Sequence, residues 1–114
     1  MHLHLNDETR HIIDQRRLEL MKPTSYLINV ARGALVDEDA LLIACQEGKI
    51  AGAGIDAYGQ EPLDPSWPIF KLPNVITTNH ISGGTDGTWR KRCECTAENA
   101  DRIAAGLEPL YRVD

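Results

Sequence analysis

The chain has 114 residues, enough for one compact domain around a single hydrophobic core. Its composition, 42% hydrophobic and 25% charged residues, is typical of a folded soluble protein. The formal net charge of −5 argues against a nucleic-acid or anionic-membrane surface, and no apolar stretch is long enough to span a bilayer.

The N-terminal part of the chain predicts a strand, a helix and a second strand. Residues 2–5 alternate between polar and apolar side chains as a strand does, and residues 6–9 have turn and capping chemistry. A helix is predicted to follow through Ile13, Leu18 and Met21, and Pro23 limits its extent. Residues 25–31 are almost continuously apolar, which predicts a strand that is buried on both faces.

A second helix is predicted over about residues 38–47. Asp37 is a suitable N-cap, and further acids in the first turn favour the helix dipole. Gly48 is a natural C-terminal stop. Residues 49–55 then predict a third strand, rich in alanine and glycine, against which another part of the chain must pack closely.

The remaining residues predict a loop, a short strand and a long helix. Four prolines mark residues 58–73 as a surface loop with a helical turn, and residues 74–78 predict the fourth strand. A long helix is predicted from Thr85 onward, and Gly106 and Pro109 end it. Its predicted buried stripe repeats every three or four residues and comprises Trp89, Cys93, Ala97, Ala100 and Ala104.

Strands that alternate with helices in this way predict an α/β fold with a mostly parallel sheet flanked by helices. Ligands of such sheets bind beyond the carboxyl ends of the strands. Four ionisable residues follow predicted strands at that edge, namely Arg32, Asp56, Glu61 and His80. Their gathering at one edge is the strongest physical indication of function in the sequence.

His80 and Glu61 form a candidate acid/base pair. A carboxylate within hydrogen-bond reach orients an imidazole and stabilises its charged form, so the pair is suited to moving a proton near neutral pH. A lone loop histidine is more often structural or simply exposed, and this alternative stays open. Asp56 has two interpretations as well: it caps or pairs within the chain, or it accepts a hydrogen bond from a ligand amide.

Arg32 stands directly after a strand that is predicted to be buried, where an unpaired charge would be costly. One interpretation is a salt bridge to Asp37, Glu38 or Asp56. The other is bidentate binding of a substrate carboxylate, for which a planar guanidinium is well shaped. Gly33 would let the backbone pass close beside it.

Two further patterns were considered as ligand sites. His2 and His4, followed by Asp7, weakly resemble the H-x-H-x-D pattern of metallo-hydrolases, but nothing besides His80 could complete such a site, and we predict no metal. The glycines of Gly52-x-Gly54 and of residues 83–87 do not have the spacing of a dinucleotide-phosphate loop.

The three cysteines do not make a complete disulfide framework, and their spacing matches no trusted zinc or redox motif. The N-terminus also lacks the basic and apolar segments of a secretory signal. Together these features predict a cytoplasmic protein.

Four segments occur in the order that they have in a known family: "HLHLNDETRHIID", "MKPTSYLINVARGALVDEDAL", "GKIAGAGIDAYGQEPL" and "LPNVITTNHISGGT". They resemble the second half of the nucleotide-binding domain of D-isomer-specific 2-hydroxyacid dehydrogenases, a family that includes phosphoglycerate, glyoxylate/hydroxypyruvate and D-lactate dehydrogenases. The resemblance implies that residues 1–114 form a single, partial Rossmann-type domain, with the first βαβ unit and the substrate domain absent.

The resemblance also implies hydride transfer between NAD or NADP and a small 2-hydroxy or 2-oxo acid. Arg32 then corresponds to the residue that binds the substrate carboxylate, His80 to the acid/base and Glu61 to its charged partner. Asp56 matches the aspartate beside the nicotinamide. The implied cofactor-lining positions are Leu3, Thr9, Val30, Ala31, Arg32, Asp56, His80, Ser82 and Gly83.

This chain departs from the family pattern at two positions. It has His4 and Asn79 where the family usually has proline, so both loops lose the stiffness of a proline ring. Neither change removes a candidate catalytic group.

Without a glycine loop and an opposing domain, the chain alone is expected to be inactive and to show no saturable NADH binding below millimolar concentrations. The alternative is a non-catalytic remnant that self-associates as a homo-oligomer through an unpaired sheet edge and an uncovered helix face. The sequence leaves open which acid is the substrate and whether NAD or NADP is used.

Overall fold

The computed structural model describes residues 1–113, which form an α/β fold with a long C-terminal helix. The elements in chain order are α1 (Gln15–Glu19), β1 (Tyr26–Asn29), α2 (Glu38–Gln46), β2 (Gly52–Ile55), β3 (Val75–Thr77) and α3 (Asp86–Ala104), with short 3₁₀ helices at Gly33–Leu35 and Pro68–Lys71. The predicted fold class is confirmed, as is the helical turn in the proline-rich loop.

The three strands form one parallel sheet in the order β1-β2-β3. Asn29, Ile55 and Thr77 are aligned across the sheet, so the three strands end at almost the same level. The segments that leave them therefore start side by side at a single carboxyl edge. This alignment places the residues that follow the strands, among them those of the candidate site, at one edge of the sheet.

Both ends of α2 agree with the local signals in the sequence. The Asp37 side chain accepts a hydrogen bond from the backbone N–H of Ala40 over 3.0 Å, as an N-cap does. Gly48 follows the helix in the left-handed region, with φ of 66°, a conformation that costs glycine little. The close packing predicted for β2 is present, because a Cβ atom on Gly52 would lie 2.1 Å from the carbonyl oxygen of Asn74.

The hydrophobic core lies between the sheet and the first two helices. It includes Leu18 of α1, Leu27 of β1, Leu41 of α2 and Ile55 of β2, all buried. On the opposite face of the sheet, Tyr26 is 66% exposed and Ile28 is 50% exposed. The prediction that β1 is buried on both faces is therefore wrong, because α1 and α2 contribute to the core on only one side of it.

The N-terminal segment differs from the sequence prediction in two respects. Residues 1–5 form no strand, and the first helix is restricted to Gln15–Glu19. The backbone N–H groups of His11 and Ile13 donate to the carbonyl oxygens of Ala34 and Leu35, at 2.8 and 3.0 Å. Because these groups pair with a distant segment, they do not join a helix ladder.

The chain divides into two compact units, Met1–Ser82 and a second unit that begins at Gly83. In the second unit, Thr85 caps α3, and the Asn99 side chain exchanges hydrogen bonds with the backbone of Leu110 at 2.6 and 3.2 Å. None of the α3 residues is buried, so the predicted buried stripe is wrong for the part of the chain that the structure describes. That residues 1–114 act as one domain stays a prediction.

Within residues 1–113, no helix combines the length and the apolar character that a bilayer span requires.

Candidate active site

The site begins at the carboxyl end of β1, where Asn29 shapes the turn. This residue is 2% exposed; its side-chain amide donates to the carbonyl oxygen of Arg32 over 2.9 Å, and its side-chain oxygen accepts from the N–H of Ala31 over 3.2 Å. These two bonds fold the chain into an Asx-type turn directly after the strand. Asn29 is not among the site residues predicted from the sequence, although a lone amide in an apolar strand is an available signal.

Arg32 is exposed, so the burial cost anticipated from the sequence does not arise. Its guanidinium donates to the carbonyl oxygen of Ala31 over 2.7 Å. Among the described residues it forms no salt bridge with Asp37, Glu38 or Asp56, the partners considered from the sequence. The guanidinium therefore keeps most of its donors for a ligand.

The loop of Arg32 packs directly against the loop that carries Glu61. A Cβ atom on Gly33 would lie 1.9 Å from the carbonyl carbon of Tyr58 and 2.1 Å from the nitrogen of Gly59. Only glycine allows so close a backbone approach. The Glu38 side chain of α2 fastens the same loop by accepting the N–H of Gly59 over 2.7 Å.

His80 and Glu61 are in direct contact. The imidazole Nδ1 lies 2.9 Å from Oε1 and 3.1 Å from Oε2 of the carboxylate, and each side chain is a little over two-fifths exposed. Oε1 of Glu61 also accepts the backbone N–H of Tyr58 over 3.2 Å. An ionised carboxylate can only accept hydrogen bonds, so Nδ1 carries a proton in this geometry.

The backbone of His80 lies in the left-handed region, with φ of 56°. For a residue with a side chain this conformation costs about 1–2 kcal/mol, and it persists where the surroundings enforce it. Thr78 and Tyr58 help to do so, because the Tyr58 hydroxyl donates to the carbonyl oxygens of Thr78 and Ile55 over 2.8 and 3.2 Å.

Asp56 directly follows β2, is 2% exposed, and binds the loop that carries His80. Its Oδ1 accepts the Thr78 hydroxyl over 2.6 Å and the N–H of Ile81 over 2.8 Å, and its Oδ2 accepts the N–H of Ser82 over 2.9 Å. Burial by itself raises the pKa of Asp56, but hydrogen bonds from the Ser82 side chain, Thr78 and the two backbone amides outweigh it. The net pKa lies well below the ordinary value, so the carboxylate is ionised.

The other predicted cofactor-lining residues are accessible to varying degrees. Val30 and Ala31 are half-buried directly after β1, and Leu3 and Ser82 are exposed. Thr9 lies in the turn after Asn6 and donates its hydroxyl to the carbonyl oxygen of His4 over 2.8 Å. Gly83 is exposed and begins the second unit.

These residues fit one end of a nicotinamide cofactor. Accessible apolar side chains at Leu3, Val30 and Ala31 can contact a planar ring, and the open carboxyl edge of the sheet is where such a ring binds in this architecture. Residues 1–113 contain no glycine loop with the spacing that holds a pyrophosphate. Within the same residues, no group of three or more His, Cys, Asp or Glu side chains is arranged to hold a metal ion.

A parallel sheet with an ionisable cluster beyond its carboxyl ends defines the class: a Rossmann-type nucleotide-binding α/β domain. The chain belongs to the D-isomer specific 2-hydroxyacid dehydrogenase family, because the family model described as the NAD binding domain of these enzymes matches residues 1–82.

Relatives of the chain agree with this assignment. A glyoxylate reductase of Thermofilum pendens is 43% identical over 109 residues, which cover 96% of this chain and 32% of the relative. The NAD-complexed D-isomer specific 2-hydroxyacid dehydrogenase of Lactobacillus delbrueckii ssp. bulgaricus has a TM-score of 0.85 at 35% identity, covering 98% of this chain and 38% of that one.

A D-isomer specific 2-hydroxyacid dehydrogenase of Xanthobacter autotrophicus Py2, solved with NADPH and MES, has a TM-score of 0.77 at 37% identity, covering 99% of this chain and 46% of that one. The chain therefore spans about a third of the length of the curated relatives that it matches.

Proposed function

We propose that this chain is the part of an oxidoreductase that carries its acid/base pair and transfers a hydride between NAD or NADP and a small 2-hydroxy or 2-oxo acid. The observation that carries the proposal is the contact of His80 with Glu61 beyond the carboxyl end of a parallel sheet. Family membership and the names of the relatives, which include glyoxylate and hydroxypyruvate reductases, support the substrate class.

His80 moves the proton in the proposed reaction. Glu61 accepts a hydrogen bond from Nδ1 and orients the imidazole, which leaves Nε2 as the nitrogen that exchanges a proton with substrate. In reduction, Nε2 donates its proton to the carbonyl oxygen of the 2-oxo acid. In oxidation, Nε2 removes the proton of the hydroxyl group.

Arg32 binds the substrate carboxylate in this proposal. Its guanidinium is exposed beside the edge, and its planar fork matches a carboxylate in two parallel hydrogen bonds. The contact of Gly33 with Tyr58 and Gly59 keeps the loop of Arg32 against the loop of Glu61. Substrate carboxylate and proton donor are thereby held at one edge.

The cofactor-lining residues are proposed to be Leu3, Thr9, Val30, Ala31, Arg32, Asp56, His80, Ser82 and Gly83. When bound, the nicotinamide supplies or accepts the hydride at the carbon that bears the oxygen. The side chains of Leu3 and Val30 would contact the ring and exclude water from it.

The 114-residue chain alone is proposed to be inactive, because it offers neither a phosphate loop nor a wall opposite the site. Calorimetric titration with NADH should show no saturable binding below millimolar concentrations. A micromolar dissociation constant would overturn this part of the proposal.

Grafting tests the function itself. The chain replaces the matching segment of the Thermofilum pendens glyoxylate reductase, and oxidation of NADH or NADPH is followed with glyoxylate. We expect turnover that falls at least about a thousandfold on His80→Gln, the upper range of acid/base catalysis. His11→Gln, an exposed histidine outside the site, is the control and should be neutral. Unchanged turnover in His80→Gln would reject the assignment.

A second candidate function, that of a non-catalytic self-associating homo-oligomer, is favoured by the exposed face of the sheet. Ile28, Gly54 and Ile76 are aligned across the three strands, and Ile76 is 74% exposed. Within the described residues, β1 also pairs on one side only, which leaves a free edge. Contiguous apolar faces of this kind favour association.

Sedimentation velocity separates this alternative from a monomer. If the face mediates association, Ile76→Lys should shift the chain toward a monomer. Leu20→Lys is a matched control, because Leu20 is also 74% exposed but follows α1. A chain that stays monomeric at all concentrations would contradict the alternative.

For the oxidoreductase that contains this chain we propose a cytoplasmic location and a small-molecule partner, without nucleic acid or membrane.

A further inference from the structure

Asp56 contacts the chain on both sides of His80. The Thr78 hydroxyl, two residues before His80, and the N–H of Ile81, one residue after it, both donate to Oδ1. The N–H of Ser82 donates to Oδ2. A single buried carboxylate therefore fixes the two ends of the short segment whose centre is the proposed acid/base residue.

Most of the acceptor capacity of this carboxylate is used within the chain. An ionised carboxylate has about four lone-pair positions. Three are taken by the hydrogen bonds from Thr78, Ile81 and Ser82. Asp56 is also 2% exposed. These three donors all come from the His80 loop, so the carboxylate is bound mainly to that loop.

The backbone of the segment needs such a constraint. His80 has φ of 56°, a conformation that a histidine adopts at a cost and keeps only when its neighbours are held. With this backbone conformation, the imidazole reaches Glu61 over 2.9 Å. A segment free to relax to negative φ would direct the imidazole elsewhere.

We propose that Asp56 is a positioning residue, which keeps the backbone of His80 left-handed by binding the chain on both sides of it and thereby maintains the contact of His80 with Glu61. This role rests on the proposed function of His80 as the acid/base. It is additional to the role implied by family resemblance, in which the aspartate lies beside the nicotinamide, because it acts on the protein's own loop.

The test is nuclear magnetic resonance of the labelled 114-residue chain without cofactor. Hydrogen exchange of the Ile81 and Ser82 amides reports the bonds to Asp56, and long-range nitrogen–proton correlations report which ring nitrogen of His80 carries the proton. In the unmodified chain we expect both amides to be protected and His80 to be protonated at Nδ1. The exposed His2 and His4 provide the reference for an unconstrained ring.

In Asp56→Asn, an amide replaces one acceptor oxygen by a donor, so exchange at these amides should accelerate about tenfold. The His80 ring pattern should move toward that of His2 and His4. Asp7→Asn, an exposed and chemically matched change, should alter neither signal. Glu61→Ala should change the ring pattern and leave the Ile81 and Ser82 amides protected.

Thr78→Val is the second variant for this test if Asp56→Asn does not fold, because it removes only the hydroxyl that donates to Oδ1 of Asp56. It should shift the ring pattern in the same direction by a smaller amount. Loss of amide protection with an unchanged ring pattern would overturn the proposal, since Asp56 would then stabilise the loop without aiming His80. Unchanged amide exchange would overturn it as well.

These readouts do not depend on activity. Inactive grafted enzyme together with the expected resonance changes would reject the proposed function and leave the role of Asp56 in the loop intact. Active grafted enzyme with an unchanged ring pattern in Asp56→Asn would reject the positioning role alone.

Discussion

Asp56 donates its backbone N–H to the carbonyl oxygen of Asn29 over 3.0 Å, and both residues are 2% exposed. They stand at the ends of neighbouring strands, and each uses its side chain to bind the loop that leaves the sheet. Asn29 binds the turn of Arg32, and Asp56 binds the loop of His80. The loops that carry Arg32 and His80, the two exposed residues of the proposed chemistry, are thus each bound by a buried polar side chain at the end of a strand.

Asn29→Ala is expected to destabilise the fold. It removes the donor to the Arg32 carbonyl and the acceptor for the Ala31 N–H, so two part-buried backbone groups lose their partners. The expected loss is about 1–3 kcal/mol of the free energy of unfolding, measured by urea denaturation. Gln15→Ala, which removes only an exposed bond to Glu19, should cost less than about 0.5 kcal/mol. Equal losses in the two variants would contradict the role of Asn29.

Gly33→Ala should be more damaging than its size suggests. The added Cβ would lie 1.9 Å from the Tyr58 carbonyl carbon, so the two loops must separate. We expect a loss of about 2–3 kcal/mol by urea denaturation. In Gly87→Ala the Cβ meets open space within α3, and the change should stabilise by up to about 1 kcal/mol. A tolerated Gly33→Ala would show that the loops need not be in contact.

Tyr58→Phe tests the support beneath the His80 loop. The change keeps the ring packed against Trp67 and Phe70 but removes the hydroxyl that donates to Thr78 and Ile55. A loss of about 1 kcal/mol is expected in thermal or urea unfolding. Tyr26→Phe is the matched control, because Tyr26 is largely exposed and its change should be neutral. The prediction fails if the two variants are equally stable.

The low pKa of Asp56 predicts that the stabilisation contributed by its carboxylate depends on pH. Hydrogen bonds to the ionised form place the pKa in the folded chain below the ordinary value of 3.8. The stabilisation is therefore complete at pH values well above 3.8 and is lost as pH falls toward the folded pKa.

Urea unfolding of the unmodified chain and of Asp56→Asn at a series of pH values measures this dependence. The difference in free energy of unfolding between the two proteins should be constant near neutral pH and should decrease below pH 3.8. A difference that increased on acidification would have the wrong sign for an ionised Asp56.

Local signals in the sequence were sufficient for much of the fold. The cap at Asp37, the helix stop at Gly48 and the order of the elements from α1 onward follow from the conformational preferences of a few neighbouring residues, and each was confirmed. The position of His80 and Glu61 at one edge was also predictable, because parallel strands bring their carboxyl ends together.

What covers each surface could not be predicted in this way. The apolar pattern of β1 is the same whether a helix lies on one face or on both, so the exposure of Tyr26 and Ile28 emerged only in three dimensions. The stripe of α3 was misjudged for a similar reason: periodicity marks an apolar face and does not supply a partner for it. Residues 2–5 form no strand, and residues 11–13 pair with residues 34–37 instead of joining the predicted helix.

The sequence by itself determined the family, the order of the elements from α1 onward and the residues that stand at the strand ends, because these depend on residue type and on neighbours along the chain. Only the tertiary structure decided that Arg32 is exposed and that Asp56 binds the segment around His80. Those outcomes depend on contacts between residues as much as 26 positions apart, as Asp56 and Ser82 are, and no local pattern encodes which donor meets which acceptor.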